Sequence, residues 1–175
     1  MRNIPSPEDS IRTERLILRR ARPGDLEAMH AVLSHPEAML YWSTPPHSEI
    51  GQTEEWLASM LDDDPALRDD YVVEFGGRAV GKAGCWRLPQ IGYILHPDLW
   101  GQGLAREALS AVIPALFARH PIARITADVD PRNRRSLRLL DRLGFTVCGR
   151  AERTWLVGDQ WCDSVYLALD RGALR

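Results

Sequence analysis

The chain has 175 residues, 45% of them hydrophobic, and 22 Lys+Arg against 24 Asp+Glu give a formal net charge of −2. That length suits one domain with a sizeable core, and the balanced charge argues against a general nucleic-acid or polybasic membrane binder. The three cysteines, Cys85, Cys148 and Cys162, form no CxxC pair, which argues against a disulfide scaffold or a zinc site and predicts a reducing, cytoplasmic setting.

The N-terminal stretch "MRNIPSPEDSIRTER" lacks the apolar core of a signal peptide. No apolar run approaches the ~18–20 residues needed to cross a bilayer. Residues 1–12 read as a flexible, polar lead-in and residues 13–175 as a single domain. "RLILRRA" predicts a first strand. "PGDLEAMHAVLS" predicts a helix with Leu26, Met29 and Leu33 on one face. The prolines of "STPPHSE" break the chain before a second helix, "SEIGQTEEWLASMLDD", striped by Trp56, Leu57, Met60 and Leu61.

Two β-rich runs flank Gly76-Gly77 in "YVVEFGGRAVGKAGCW", which predicts a tight hairpin. "QIGYIL" is a further strand. "GLAREALSAVIPALFARH" is a long helix that Pro114 should kink or shorten. "RITADVD" is a strand and "NRRSLRLLDRLG" a helix that Gly144 can end. Two strands around Gly158-Asp159 close the chain. The expected order is β-α-α-β-β-β-α-β-α-β-β, a mixed α/β (α+β) domain without internal repeats.

Two motifs come close to nucleotide-binding signatures and miss. "GGRAVGKA" has the spacing of a P-loop through Gly76, Gly81 and Lys82, but Ala83 replaces the hydroxyl that binds Mg²⁺, and the segment reads as a hairpin. "GQGLAR" has Arg106 where a dinucleotide fingerprint needs its third glycine. The five histidines show no metal-ligand spacing, and no metal is expected. The "RNRRSLR" cluster reads as a solvated helix face or a local phosphate contact.

The segment "IGYILHPDLWGQGLAREAL" carries the chemistry. Pro97 cannot donate to a sheet ladder, so the strand must stop or splay near His96. Splaying leaves main-chain groups of Ile94, Leu95 and His96 open to an extended ligand that carries amides. Beyond them, Gly101 and Gly103 allow a close approach to the backbone. The N–H groups from Gly101 through Gln102, Gly103, Leu104, Ala105 and Arg106 form a nest for a pyrophosphate. An amide-bearing arm joined to a pyrophosphate describes coenzyme A.

At these residues the sequence resembles the GCN5-related N-acetyltransferase (GNAT) family, in its branch of ribosomal-protein N-terminal acetyltransferases (RimJ/RimL type). The family turn Q/R-x-x-G-x-G/A reads here Trp100-Gly101-Gln102-Gly103-Leu104-Ala105; Trp100 departs from the general pattern and looks like this branch. The resemblance extends through "TERLILRRARPGDLEAM", "LSHPEAMLYWSTPPHSEIGQTEEWL" and "RITADVDPRNRRSLRLLDRLGF", covering roughly residues 13–169. It implies a mostly antiparallel, twisted sheet splayed at the cofactor, flanked by about four helices. It also implies acetyl transfer from the co-substrate acetyl-CoA to a primary amine, a protein N-terminus or a small molecule, by direct attack.

On this resemblance a main-chain N–H near Leu95 polarises the thioester carbonyl. Asn133 matches the position that holds the cofactor arm, although a helix N-cap explains it too. The family's usual tyrosine acid is replaced by Leu140. Ser136 then matches the branch's candidate acid, with a plain helix serine as the alternative. Gln90 stands where relatives often carry a basic glutamate, so the base is left open among His96, His35, Glu37 and Glu152. Trp42, Trp86, Trp155 and Trp161, with the hairpin around Cys85-Trp86, are expected near the acceptor, although packing explains each of them as well. A homodimer is left open. The rival reading is a non-catalytic acyl-CoA-binding sensor or interaction module on the same fold.

Overall fold

The computed structural model describes residues 10–173 apart from 63 and 65. Eight strands form one sheet, in the order β1-β2-β3-β4-β5-β6-β8-β7. They are β1 (Ile11–Arg12), β2 (Leu16–Arg19), β3 (Asp69–Phe75), β4 (Arg78–Arg87), β5 (Gln90–Leu95), β6 (Arg124–Val129), β7 (Thr146–Val157) and β8 (Gln160–Asp170). The helices are α1 (Leu26–Leu33), a single turn α2 (Pro36–Met39), α3 (Ile50–Leu61), α4 (Leu104–Arg119) and α5 (Arg134–Arg142). All neighbouring strands are antiparallel except β5 and β6.

The expected order holds, with two additions. Ile11 and Arg12 pair with Leu18 and Ile17, so this end of the expected lead-in is sheet; residues 1–9 lie outside the described residues. The α2 turn escapes the sequence reading because four residues are too few to show a helical period. Its N-cap is His35, whose ring accepts from the Glu37 N–H.

Pro114 does not shorten α4, which runs unbroken to Arg119. Proline in a helix interior costs about 3 kcal/mol through its missing N–H and ring clash. Here Pro114 and Ser110, whose carbonyl loses its partner, are both exposed, so water can satisfy that carbonyl. The opposite face of α4 sets Leu104, Ala108, Leu109, Val112 and Leu116 into the main core. There they meet Leu16, Leu18, Tyr71, Ala83 and Cys85 of the sheet. The other sheet face is covered by α1 and α3, through Val72 with Leu57 and Met60, and through Ile94 with Val32 and Leu33.

The Gly76-Gly77 hairpin forms as expected, with φ of +58° and +79°. Lys82 is not a phosphate ligand. It is buried, and its Nζ donates to Asp70 Oδ2 at 2.6 Å.

The decisive feature lies between β5 and β6. β4 and β5 stay paired from Arg87↔Gln90 to Gly81↔Leu95. β5 and β6 share the single register pair Gln90↔Thr126, and the Thr126 N–H also reaches Pro89 O at 3.0 Å. Beyond that point the strands diverge, with Pro97 just past the end of β5. Among the described residues, no helix is long and apolar enough to cross a membrane.

Candidate active site

Alternation along the antiparallel ladder decides which main-chain groups of β5 face the gap. The His96 N–H donates to Val80 O at 2.9 Å, and His96 O accepts from the Leu99 N–H. Both main-chain groups of His96 are therefore spent, which corrects the expectation that they are open to a ligand. Ile94 stands opposite Lys82 on the same β4-facing side. Leu95, between them, turns its groups to the gap. Its carbonyl accepts from the Trp100 indole at 2.9 Å, which leaves the Leu95 N–H as the donor aimed into the splay.

The turn before α4 is built as an open cradle. Gly101 and Gly103 have φ of +77° and +78°, a left-handed conformation that suits glycine. A Cβ on Gly101 would meet nothing within 4 Å, and one on Gly103 only Arg15 Nη2 at 3.7 Å. Backbone N–H groups at the start of a 16-residue helix thus stand open to an anion. The Leu104 side chain is sunk in the core, so that residue can offer only its N–H; Ala105 is half-buried and Arg106 exposed. Gln102 ties its amide to Asp98 O at 3.3 Å.

Arg15, which sequence reasoning did not single out, is bonded to this turn. Its guanidinium donates to Gln102 O at 2.9 Å and pairs with Glu107 at 2.7 Å. Glu107 also accepts from Thr13 Oγ1 at 2.5 Å and from the Arg15 N–H at 2.8 Å. Burial opposes ionisation of Glu107, but these donors hold its carboxyl below the usual range. The connection between β1 and β2 is thereby clamped to the glycine turn. The only signal in the sequence is the pair of charges, 92 residues apart.

At the start of α5, Asn133 Oδ1 accepts from the Ser136 N–H at 3.1 Å. The N-cap reading of Asn133 therefore holds, and only the NH₂ end of its amide can serve a cofactor. Ser136 Oγ is hydrogen-bonded to the Tyr93 hydroxyl. Burial pushes the Tyr93 hydroxyl up to about 12, opposed by its bond to Ser136. Leu140 is fully buried. Arg135 lies over the Trp100 ring at 5.1 Å, joining α5 to the glycine turn.

Trp42, Trp86 and Trp155 lie toward the opposite face of the sheet, whereas the adjacent register pairs Trp155↔Cys162 and Leu156↔Trp161 turn Trp161 away from it. Trp42 packs against the small core cluster of Val32, Leu33, Met39 and Ile94. A Cβ on Gly92 would lie 3.5 Å from Trp86 Cδ1, so Trp86 covers that glycine. The Trp155 Nε1 donates to Asp128 Oδ2 at 2.9 Å. The register places Asp128 on the face of Gln90, Gly92 and Ile94, across the opened gap. Cys85 does not line this surface. It is fully buried on the α4 side, where burial drives its thiol up to about 12. Trp161 is 45% exposed and stacks with Arg153 at 5.2 Å.

Asp128 was missed as a base candidate. "RITADVD" shows its alternation, with Ile125, Ala127 and Val129 buried and Asp128 on the other face. Its position across from β5 depends on the parallel register, which the sequence does not display. Of the residues named beforehand, His35 caps α2, His96 caps the turn at Pro97–Leu99, and Glu37 and Glu152 are exposed.

Residues 15–146 match the acetyltransferase (GNAT) domain profile. The chain belongs to the GNAT family. It is 30% identical over 146 residues to the uncharacterised N-acetyltransferase p20 of Bacillus licheniformis, covering 78% of this chain and 82% of that one. It is 40% identical over 86 residues to the ribosomal protein uS5-alanine N-acetyltransferase of Escherichia coli, covering 49% and 44% of the two chains. In fold it is similar to the Vibrio cholerae spermidine N-acetyltransferase solved with CoA and spermine, at a TM-score of 0.79 and 20% identity, over 92% and 98% of the two chains. The uS5 relative agrees with the resemblance to the ribosomal-protein branch.

In this GNAT domain the two faces of the splay carry different chemistry. The face shared by α4 and α5 holds hydroxyl donors at a helix N-terminus, where negative charge is favoured. The other face holds the Asp128 carboxylate, bonded by the Trp155 indole. The Leu95 N–H lies between them. Among the described residues, no group of three or more His, Cys, Asp or Glu is placed to hold a metal.

Proposed function

We propose that this N-acetyltransferase uses acetyl-CoA as co-substrate and acetylates a primary amine, a protein N-terminus or a small molecule, by direct attack. The observation that carries the reading is the splay itself, with an open anion cradle at one end and acid and base candidates on opposite faces. The N–H groups at Gly101–Arg106, positioned by Arg15, hold the pyrophosphate. The Leu95 N–H and the Asn133 amide meet the amide-bearing arm and the thioester.

The amine approaches from the tryptophan face. The lone pair of the uncharged amine attacks the carbonyl carbon, and the Leu95 N–H stabilises the oxyanion. Asp128 accepts the proton that the nitrogen sheds as it becomes an amide, directly or through one water. The C–N bond forms, the C–S bond breaks with its electron pair going to sulfur, and Ser136 supplies the proton that makes CoA thiol. No acetyl-enzyme is formed.

A screen of alanine-initiated peptides and polyamines, following free thiol from acetyl-CoA and product mass, tests this. Thiol release should match acetylated amine one for one, with no mass added to the protein. Binding of acetyl-CoA without thiol release above background for any amine would favour the non-catalytic module.

A further inference from the structure

A serine is a weak acid, and its hydroxyl rotates to any nearby acceptor, so Ser136 alone is a poorly directed proton donor. Here it is held from two sides. Its N–H is tied to Asn133 Oδ1 at 3.1 Å, and its Oγ meets the Tyr93 hydroxyl. Tyr93 rises from β5 opposite Ala83, two residues before Leu95. One rigid strand therefore positions both the oxyanion N–H and the hydroxyl behind Ser136. The helix position that could carry a phenol is occupied by buried Leu140. The phenol instead reaches the start of α5 from the sheet.

We propose that Tyr93 is a positioning residue that donates to Ser136 Oγ and so commits the serine's own proton to the sulfur of the departing thiolate. The inference rests on the reading of Ser136 as the acid. A phenol is more acidic than an alcohol, so in this pair the tyrosine is the donor. Burial keeps its proton on at neutral pH. As the C–S electron pair goes to sulfur, the Ser136 proton moves to sulfur and the Tyr93 proton follows onto Oγ. Solvent then restores Tyr93.

The test uses CoA itself and needs no acceptor. The thiol of bound CoA is titrated by its ultraviolet thiolate band in the wild type, Tyr93→Phe, Ser136→Ala and the double variant. Tyr93→Phe keeps the ring and removes the hydroxyl. The bound thiol should titrate about 0.5 to 1 pH unit higher in Tyr93→Phe, the size of one lost hydrogen bond. It should rise at least as far in Ser136→Ala, and the double variant should match Ser136→Ala. An unchanged thiol in Tyr93→Phe alongside a shifted one in Ser136→Ala overturns the role of Tyr93 only. Additive shifts in the double variant overturn it too, because Tyr93 would then act independently of Ser136. An unchanged thiol in Ser136→Ala overturns the acid assignment and this proposal with it. Failure of the wild type to bind CoA overturns the cofactor reading as a whole.

Discussion

Trp155 on β7 donates its indole N–H to Asp128 Oδ2 on β6 at 2.9 Å, reaching across the intervening β8. One oxygen of the carboxylate is thereby fixed, and the side chain is held on the face where the amine is expected. A positioned base contributes about 10²–10⁴-fold to rate. Asp128→Asn should lower kcat by that order, with KM for acetyl-CoA little changed. Trp155→Phe, which keeps an aromatic ring but frees the carboxylate, should cost about tenfold or less, since one hydrogen bond is at stake. Steady-state kinetics check both. A wild-type kcat in Asp128→Asn would rule out Asp128 as the base.

What the sequence showed of this site, and what it hid, follows from the range of each interaction. The Gly101/Gly103 turn, the Asn133 cap and Ser136 are local patterns, and each stands where its spacing placed it. The Arg15–Glu107 clamp, the Tyr93–Ser136 contact and the place of Asp128 join segments that only the sheet order brings together. The opening of the main chain at His96 was overstated, because Pro97 ends the strand without freeing the groups that already face β4. Cys85 was put at the wrong surface because its neighbour Trp86, which covers Gly92, faces the other way, while Cys85 joins the main core.

Gly103 is the most direct test of the cradle. Its φ of +78° is left-handed, and only the Arg15 Nη2 approaches it. Gly103→Asn, which tolerates that conformation, should keep the fold and weaken the rise in Tm that acetyl-CoA produces. Gly103→Glu should abolish that rise, because a carboxylate would occupy the anion's place. The measurement is Tm with and without acetyl-CoA, with circular dichroism confirming that both variants are folded. A full response in Gly103→Glu would place the pyrophosphate elsewhere.

Ser136→Ala should lower kcat by about 10²–10⁴-fold if Ser136 protonates the thiolate. Acetyl-CoA affinity should change far less, because a single hydrogen bond contributes ~0.5–1.5 kcal/mol. The Asn133 cap uses the Ser136 main-chain N–H, which alanine retains, so the helix start is preserved. Equal losses in rate and affinity would make Ser136 a cofactor-positioning residue instead.

A pH dependence follows from the segment after α2. Thr53 Oγ1 is bonded by His30 Nδ1 at 2.7 Å and by His47 Nδ1 at 2.8 Å. Burial, and then the neighbouring His30, lower the pKa of His47 from its usual 6.5. The unfolded chain therefore binds a proton at His47 more readily than the folded one, so this contribution is present above 6.5 and is lost as pH falls below it. Tm should drop between about pH 7.5 and pH 5.5, and His47→Gln should flatten that slope. Thermal melts at both values check it. An unaltered slope in His47→Gln would assign the acid sensitivity to other groups.

The same segment carries Trp42, three residues before the Pro45-Pro46 pair that restricts its backbone. Trp42 packs against the small cluster of Val32, Leu33, Met39 and Ile94, the last a residue of β5. On the proposed reading, a ring in that place would exclude water and orient an uncharged amine by shape. Trp42→Ala should raise KM for the true acceptor by more than about tenfold, a loss of ~1.4 kcal/mol. KM for acetyl-CoA should stay within about threefold, because the cradle is built from the other side of the splay. Trp42→Phe keeps much of that packing and should fall between the two. The experiment varies each substrate in turn once the amine screen has supplied an acceptor. Parallel rises in both KM values would show that Trp42 supports the end of β5 rather than the acceptor, and the acceptor face would have to be sought around Trp86 and Trp155 alone.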